Sequence, residues 1–488
     1  MLTARLAARD RWSWLALGAG ALFAVVTTVL TWTEHATYNS TSLDIGVYTQ
    51  LVWNMAHGHP FETTLLLQNR LHLAEHIALL LQPLAPLYGL APDVRILLLL
   101  QQTALGLSGL PVYWLARRRL NGPLALLVVL GYYLMPALTE VALDAFYPIV
   151  LAALPVGLAS AWALSGRPRS AALAVLLAML WEEEAALLAI GLGLYLLVRC
   201  RPVRRLGLAV LVAAVLWLGL AEGLVMPRYQ QPSTAGQDTR AQGHFEQLRA
   251  QPLGWLGNVA LNRLDPDLVR TSGLVRRFGQ LAPCQQPGQC SALRWWLYPT
   301  GGLALLSPPT LLMAAPEAAT VLIADKPGRF RRHWVAPMLP VIWLAVALGL
   351  ALLARRRLQL GAAGLLLAAM LVFYYLDSSL PLGSQYEATD VVMTPLGEDL
   401  ARLGAMIPDG ASVLATRRGL AHLTNRRFVY VYPPRDYGAG LWPPAALPDY
   451  ALIDLRGRDS ADLLAIETEG RYHEVARTPN AVLLRRGQ

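Results

Sequence analysis

The sequence predicts an α-helical polytopic membrane protein of about 9–11 spans with a small extracytoplasmic α/β domain at its C-terminal end. Three observations carry this. Mean hydropathy is +0.40 and only 15% of the 488 residues are charged, against roughly 25% in soluble domains. Apolar runs of roughly 20 residues recur, each able to cross a hydrocarbon core of about 30 Å. After Leu380 these runs stop and short strand patterns replace them.

The first apolar run, Trp14–Trp32, follows Arg5, Arg9 and Arg11. It is long for a signal-peptide core and no small-x-small cleavage site follows, so it reads as an uncleaved span over 13–33. Further spans are expected at 94–116, 122–138, 147–166, 170–182, 184–198, 206–225, 334–354 and 358–376. Residues 297–324 form an apolar pair broken by Pro308, Pro309 and Pro316, a re-entrant hairpin or two short spans. The membrane domain is thus 1–376, with polar loops at 34–93 and 226–296, and the α/β domain is 380–488.

Charge sorts the short connections. Arg117–Arg119, Arg167 with Arg169, Arg199–Arg205 and Arg355–Arg357 fall at alternate span ends. The positive-inside rule makes those ends and the N-terminus cytoplasmic. That side then holds 15 Arg and one acid, Asp10, while 26 basic residues, 31 acids and all nine histidines face outward. The net charge of +9 is therefore topological, and a nucleic-acid footprint is not expected. One long helix over Ser170–Val198 would set Glu182, Glu183 and Glu184 at mid-bilayer, at a cost of several kcal/mol. Two short helices meeting at the outer surface avoid this and keep Arg199–Arg205 inside.

In the outer loop at 226–296, Cys284 and Cys290 are placed for a local disulfide in an oxidising compartment, whereas Cys200 is a cytoplasmic free thiol. Beyond Leu380, Val392–Met406 reads as an amphipathic helix and Asp459–Ile466 as a second. Strands are expected at Ser412–Thr416, Phe428–Tyr432, Tyr450–Asp454, His473–Ala476 and Ala481–Leu484, with Pro479-Asn480 turning the last hairpin.

The groups able to do chemistry concentrate in the outward loops. Asp44 opens a helix whose apolar positions Ile45, Tyr48, Val52 and Met55 share one face. That pattern describes a helix lying in the interface with its apolar side in the headgroups. A carboxylate at such an N-terminus is also explained as a cap. His72-Leu73-Ala74-Glu75-His76 matches the inverted zinc-protease pattern, in which two imidazoles one turn apart hold zinc and the Glu activates water. A structural place for His72 is the plainer reading. Asp144 stands in the second outer loop, Glu182–Glu184 at the next, and Glu317 in the broken pair. Lys326, Arg329, Arg331, Arg332 and His333 form a basic cluster before the span at Trp334. Each alone is a solvated helix end. Together, acids facing a basic patch at headgroup level suit a lipid phosphate, which Arg grips by its fork while a carboxylate takes a proton from an incoming hydroxyl.

A set of ordered short matches accompanies these groups. They are Asp44-Ile45-Gly46-x-Tyr48-x-Gln50, Trp53-Asn54, His57-Gly58, His76, Pro83 through Leu90, Gln101 and Pro111-Val112-Tyr113. Glu183-Glu184-Ala185, Gly193-Leu194-Tyr195, Ser307-Pro308, His333 and Ile407-Pro408 follow. Over about residues 38–480 the chain resembles a prokaryotic family of polytopic membrane proteins catalogued as a domain of unknown function, placed by similarity in the GT-C glycosyltransferase superfamily. The resemblance implies a cytoplasmic-membrane enzyme that takes a sugar from a polyprenyl-phosphate-type lipid donor and passes it to an envelope acceptor at the outer face. It implies Asp44 as the catalytic base, and Asp144, Glu183, Glu184 or His76 as acceptor or metal contacts, with a divalent ion as the cofactor to test. Arg329, Arg331, Arg332 and His333 would hold the donor phosphate. The family pattern has Lys and His where Glu182 and Tyr147 stand, a departure that argues against a metal-bound role there. Outside this class stand an envelope assembly factor, a transporter, which would need ionisable groups near the bilayer midplane, and a zinc protease on His72, Glu75 and His76.

Overall fold

The computed structural model describes residues 11–40, 42–66, 71–230, 291–323, 331–432, 447–456 and 472–487. Among the described residues the first helix, α1 (Arg11–Ala36), is followed by the shorter α2 (Leu43–Ala56). α3 (Val94–Arg119) returns antiparallel to α1. The two cross where neither helix has a side chain, since a Cβ on Gly20 would stand 2.6 Å from the Gly106 carbonyl oxygen. Such small-residue contacts let apolar helices approach where lipid supplies no hydrophobic drive.

α4 (Gly122–Tyr133) and α5 (Pro136–Leu143) are bent 48° apart. Pro136 lacks the N–H needed to continue α4 but starts α5 well, at the first helical turn. α6 (Ala153–Leu164), α7 (Pro168–Ala178), α8 (Ala186–Arg199) and α9 (Arg204–Leu220) follow. The acid-bearing junction at 182–185 is a break between α7 and α8, as the cost of burying carboxylates at mid-bilayer requires. α10 (Ala315–Ile323) closes the broken apolar pair, which consists of short turns separated by Gly301 and Gly302 at φ 58° and 73°. α11 (Leu339–Leu352) is almost wholly buried, whereas α12 (Arg356–Asp377) leaves most of its residues unburied.

Among the described residues, five helical segments are long and apolar enough to cross a membrane: Arg11–Ala36, Val94–Arg119, Arg201–Tyr229, His333–Leu352 and Arg356–Asp377. The α4–α5 pair is a sixth if it counts as one. The other expected spans occur as shorter apolar helices, including Pro148–Leu164 and Pro168–Ala178. Asp44, Asp144, Glu183 and His333 gather on one side, because their side chains meet one another directly or through Tyr147 and His76, and the element order sets that side at the helix ends away from the arginine-rich connections.

The C-terminal domain begins with α13 (Pro395–Gly404) and contains β1 (Val413–Thr416), β2 (Val429–Tyr432), β3 (Tyr450–Asp454), β4 (Tyr472–Arg477) and β5 (Ala481–Arg486). Sheet order is β2-β1-β3-β5-β4, with β1 parallel to both neighbours and β3, β5 and β4 antiparallel. Leu396, Leu400 and Leu403 of α13 cover one face of the sheet with Val413, Val431, Leu452 and Leu483. The second helix expected at 459–466 lies outside the described residues.

One expectation is corrected. α2 is not an interfacial helix with a headgroup-facing side; Ile45 through Val52 and Asn54 are all buried. Ile45, Tyr48, Leu51 and Val52 join the membrane core, while Val47 and Leu43 join the core of the C-terminal domain. Its buried Gln50 is bonded at both ends of the amide within the protein. Gln50 Nε2 donates to Thr64 Oγ1 (2.9 Å) and the Arg427 carbonyl (3.1 Å), and its Oε1 accepts from Thr63 Oγ1 (2.7 Å) and the Thr64 amide (2.9 Å). Asn54 Nδ2 donates to the Glu62 carbonyl at 2.9 Å.

Candidate active site

Asp44 lies in the first turn of α2, but the cap is Ser42, whose Oγ accepts the Asp44 amide at 3.3 Å. Asp44 is therefore not itself the cap, and its half-buried carboxylate also accepts the Ser42 hydroxyl at 3.3 Å. Its Oδ2 accepts the Tyr147 hydroxyl at 2.6 Å. Burial and the carboxylates of Asp144 and Asp44 push the Tyr147 phenol far above its usual range, so it acts as a hydrogen donor at every relevant pH. Tyr147 is positioned by its own amide, which donates to Gln101 Oε1 at 2.9 Å, and by stacking on His333 at 3.4 Å between ring centres.

Behind Tyr147 the basic cluster meets its counter-charges. His333 Nδ1 lies 3.2 Å from Asp144 Oδ2, and Arg332 Nη1 lies 3.5 Å from Asp144 Oδ1. Arg331 Nη1 donates to Glu140 Oε2 at 3.1 Å and its guanidinium covers the Trp295 ring at 5.5 Å. The Ser379 hydroxyl donates to the other Glu140 oxygen. Arg331 and His333 are thus tied to carboxylates. Arg332 holds Asp144 only at the limit of contact, and its side chain is 54% exposed.

A second group is built from the first loop and the α7–α8 junction. His76 Nδ1 is 2.9 Å from Glu183 Oε1 and 3.3 Å from Glu182 Oε1. Both carboxylates are buried. Burial raises Glu182 to about 8, against the pull of His76. Burial would raise Glu183 too, but His76 and the Ile77 amide (2.7 Å) hold it below the ordinary carboxylate range. Burial disfavours a charged His76, yet the two carboxylates keep its proton well above the usual histidine range.

Three adjoining cavities connect these groups. One of about 540 Å³ is lined by Asp44, Ser42, Glu34, Asp144, Arg332 and the apolar Leu98 and Leu143. A second of about 370 Å³ shares Glu34, Leu143, Asp144 and Arg332 with it and adds Glu140, Arg331 and Asp390. A third of about 290 Å³ lies between Asp44, Tyr147, His333, His76 and Glu182. Arg332 lines all three. The arrangement offers a half-buried carboxylate, a guanidinium with spare donors and an apolar wall in one space.

The structure thus brings together Asp44, Asp144, Arg331, Arg332 and His333, and separately His76 and Glu183. Glu184 is half-buried in the same turn as Glu183 but outside the set converging on His76. Arg329, Cys284 and Cys290 lie outside the described residues. The zinc-protease pattern does not assemble: His72–Ala74 is a single 3-10 turn, and buried His72 turns its Nδ1 to the His76 carbonyl at 3.2 Å. Glu75 is exposed, and the carboxylates that meet His76 come from residues 182 and 183. Sequence reasoning missed the Glu140–Arg331 pair and the Tyr147 hydroxyl on Asp44. The tyrosine at a position where the family pattern has histidine was the one available signal for the latter.

A family model described as "Predicted membrane protein (DUF2079)" matches residues 34–473. No curated protein matches the sequence. Among solved structures, the chain is similar to ArnT from Cupriavidus metallidurans, determined bound to undecaprenyl phosphate, with 16% identity, a TM-score of 0.47 and coverage of 95% of this chain and 97% of that one. It is also similar to the Archaeoglobus fulgidus oligosaccharyltransferase in its apo form, with 14% identity, a TM-score of 0.41 and coverage of 89% and 69%.

Proposed function

This chain belongs to the DUF2079 family of predicted membrane proteins, and within that family we propose that it is a GT-C-type glycosyltransferase. It moves a sugar from a polyprenyl-phosphate donor to an envelope acceptor at the outer face of the membrane. The observation that carries the reading is that Asp44 and Arg332 line one cavity whose remaining wall includes Leu98 and Leu143. A lipid phosphate needs that combination: a cation for the head, an apolar wall for the first isoprene units and a base beside the anomeric carbon.

In this reading the acceptor hydroxyl attacks the anomeric carbon from the face opposite the phosphate. The new C–O bond forms as the bond from carbon to phosphate oxygen breaks. The phosphate leaves with the electron pair and Asp44 takes the hydroxyl proton. The configuration inverts. Tyr147 orients the Asp44 carboxylate, and Arg332 stabilises charge growing on the leaving phosphate, an electrostatic role that is often the largest catalytic contribution. Arg331 and His333, already paired with Glu140 and Asp144, position Arg332 and the stacked Tyr147. The C-terminal domain, which shares α2 with the membrane core, selects the acceptor.

The experiment is a binding comparison on the full chain in detergent or proteoliposomes. Polyprenyl phosphate should raise the melting temperature, polyprenol should not, and Arg332→Glu should abolish the difference. Equal effects of phosphate and alcohol, or an Arg332→Glu protein that still distinguishes them, would reject the site.

A further inference from the structure

His76, Glu182 and Glu183 are not used by the transfer step, yet they are arranged with more precision than a loop–loop ion pair needs. Each carboxylate splits its oxygens between two tasks. Glu183 Oε2 accepts the Ile77 amide at 2.7 Å and Glu182 Oε2 accepts the Ile149 amide at 3.1 Å. Both Oε1 atoms then turn to the same atom, His76 Nδ1, at 2.9 and 3.3 Å. The three donor atoms all lie within 4.8 Å of one another. Outer oxygens held by backbone amides and inner oxygens converging with an imidazole is the pattern by which proteins orient metal ligands.

We propose that His76, Glu182 and Glu183 bind one divalent transition-metal ion, of the Zn2+ or Mn2+ class, joining the first loop to the α7–α8 junction.

With ligand distances of about 2.1 Å, edges of 2.9 and 3.3 Å correspond to angles of about 85–105° at an ion, as in tetrahedral or octahedral coordination. One imidazole with two carboxylates suits Zn2+ or Mn2+ better than Ca2+ or Mg2+, which favour all-oxygen sets. The surroundings leave a coordination position open, because the cavity of about 290 Å³ borders His76 and Glu182 as well as Asp44 and Tyr147. The set is also distinct from the zinc-protease pattern, since His72 is turned away to the His76 carbonyl. The convergence of Glu182 with Glu183 and His76 reverses the expectation, drawn from its departure from the family pattern, that no metal is held there, and the inference does not depend on the transferase reading.

The test uses the full chain, stripped with chelator and titrated with Zn2+, Mn2+ or Co2+ alone. About one ion per chain should bind, and Glu182→Gln, Glu183→Gln and His76→Ala should each weaken it by at least the roughly 10-fold that loss of a mere outer-shell partner costs. Asp44→Asn and Asp144→Asn should leave the affinity within about twofold. In a second readout that needs no variant to fold, chelator should lower the melting temperature of the metal-loaded wild type, and added metal should restore it. The absence of saturable binding, a chelator with no effect, or loss of the ion in the Asp44 or Asp144 variants but not in Glu182→Gln would overturn the site.

Discussion

Replacing Asp44 with Asn separates catalysis from packing because the structure predicts very different magnitudes for the two. The side chain keeps its volume, and its amide oxygen can still accept the Tyr147 hydroxyl that now sits at 2.6 Å. What is lost is the charged character of that bond, a difference of about 1 kcal/mol between charged and neutral hydrogen bonds. The carboxylate's favourable place in the first turn of α2 adds about 0.3–1 kcal/mol. Ser42 remains as the cap, so helix initiation is not at risk. Stability should fall by about 1–2 kcal/mol, a shift of a few degrees. Removal of a general base should instead lower turnover about 10²- to 10⁴-fold, or about 3–5.5 kcal/mol in the barrier. The assay is release of labelled polyprenyl phosphate from a lipid-linked sugar, normalised to folded protein, alongside a melting curve. Turnover within fivefold of wild type in a folded Asp44→Asn protein would refute the base assignment and favour an assembly-factor role.

Three further outcomes follow from the geometry. Arg332→Ala should fold normally, because the side chain is 54% exposed, and should raise the KM for the lipid donor about 10-fold or more as one phosphate contact is lost; an unchanged KM would remove Arg332 from the site. His422 is stacked between Tyr38 (3.6 Å) and His35 (4.0 Å), near Asp93, and burial lowers it to about 3. The unfolded chain takes up that proton below about 6.5, so this contribution is full above pH 6.5 and declines by about 1.4 kcal/mol per unit toward pH 3; chemical denaturation at pH 7.5 and 5.0 should show wild type losing about 2 kcal/mol more than His422→Phe, and equal losses would contradict it. Gln50→Ala should strand the buried Thr63 hydroxyl, Thr64 amide and Arg427 carbonyl, costing about 2–4 kcal/mol; hydrogen exchange in β2 should rise, and an unchanged β2 would show that Gln50 does not couple α2 to the C-terminal domain.

The local features of this protein are legible in its sequence. Continuous apolarity marked the helices, clustered arginines marked one set of their ends, and runs rich in Val, Leu and Tyr marked the five described strands within a residue or two at most boundaries. The insertion cost of Glu182–Glu184 was enough to predict the break between α7 and α8. These succeed because hydropathy, charge and side-chain period act over one turn or one strand. Tertiary structure decided which groups meet. His76 finds Glu183 across 107 positions, Tyr147 finds Asp44 across 103, and Arg331 finds Glu140 across 191. The same packing buried α2 between two cores, turning residues that read as a headgroup-facing surface into a hydrogen-bonded junction. No local pattern encodes such pairings. They arise because helices packed at fixed angles carry their loop ends to one side, and because a charge buried there is stable only beside a partner that the chain delivers from elsewhere.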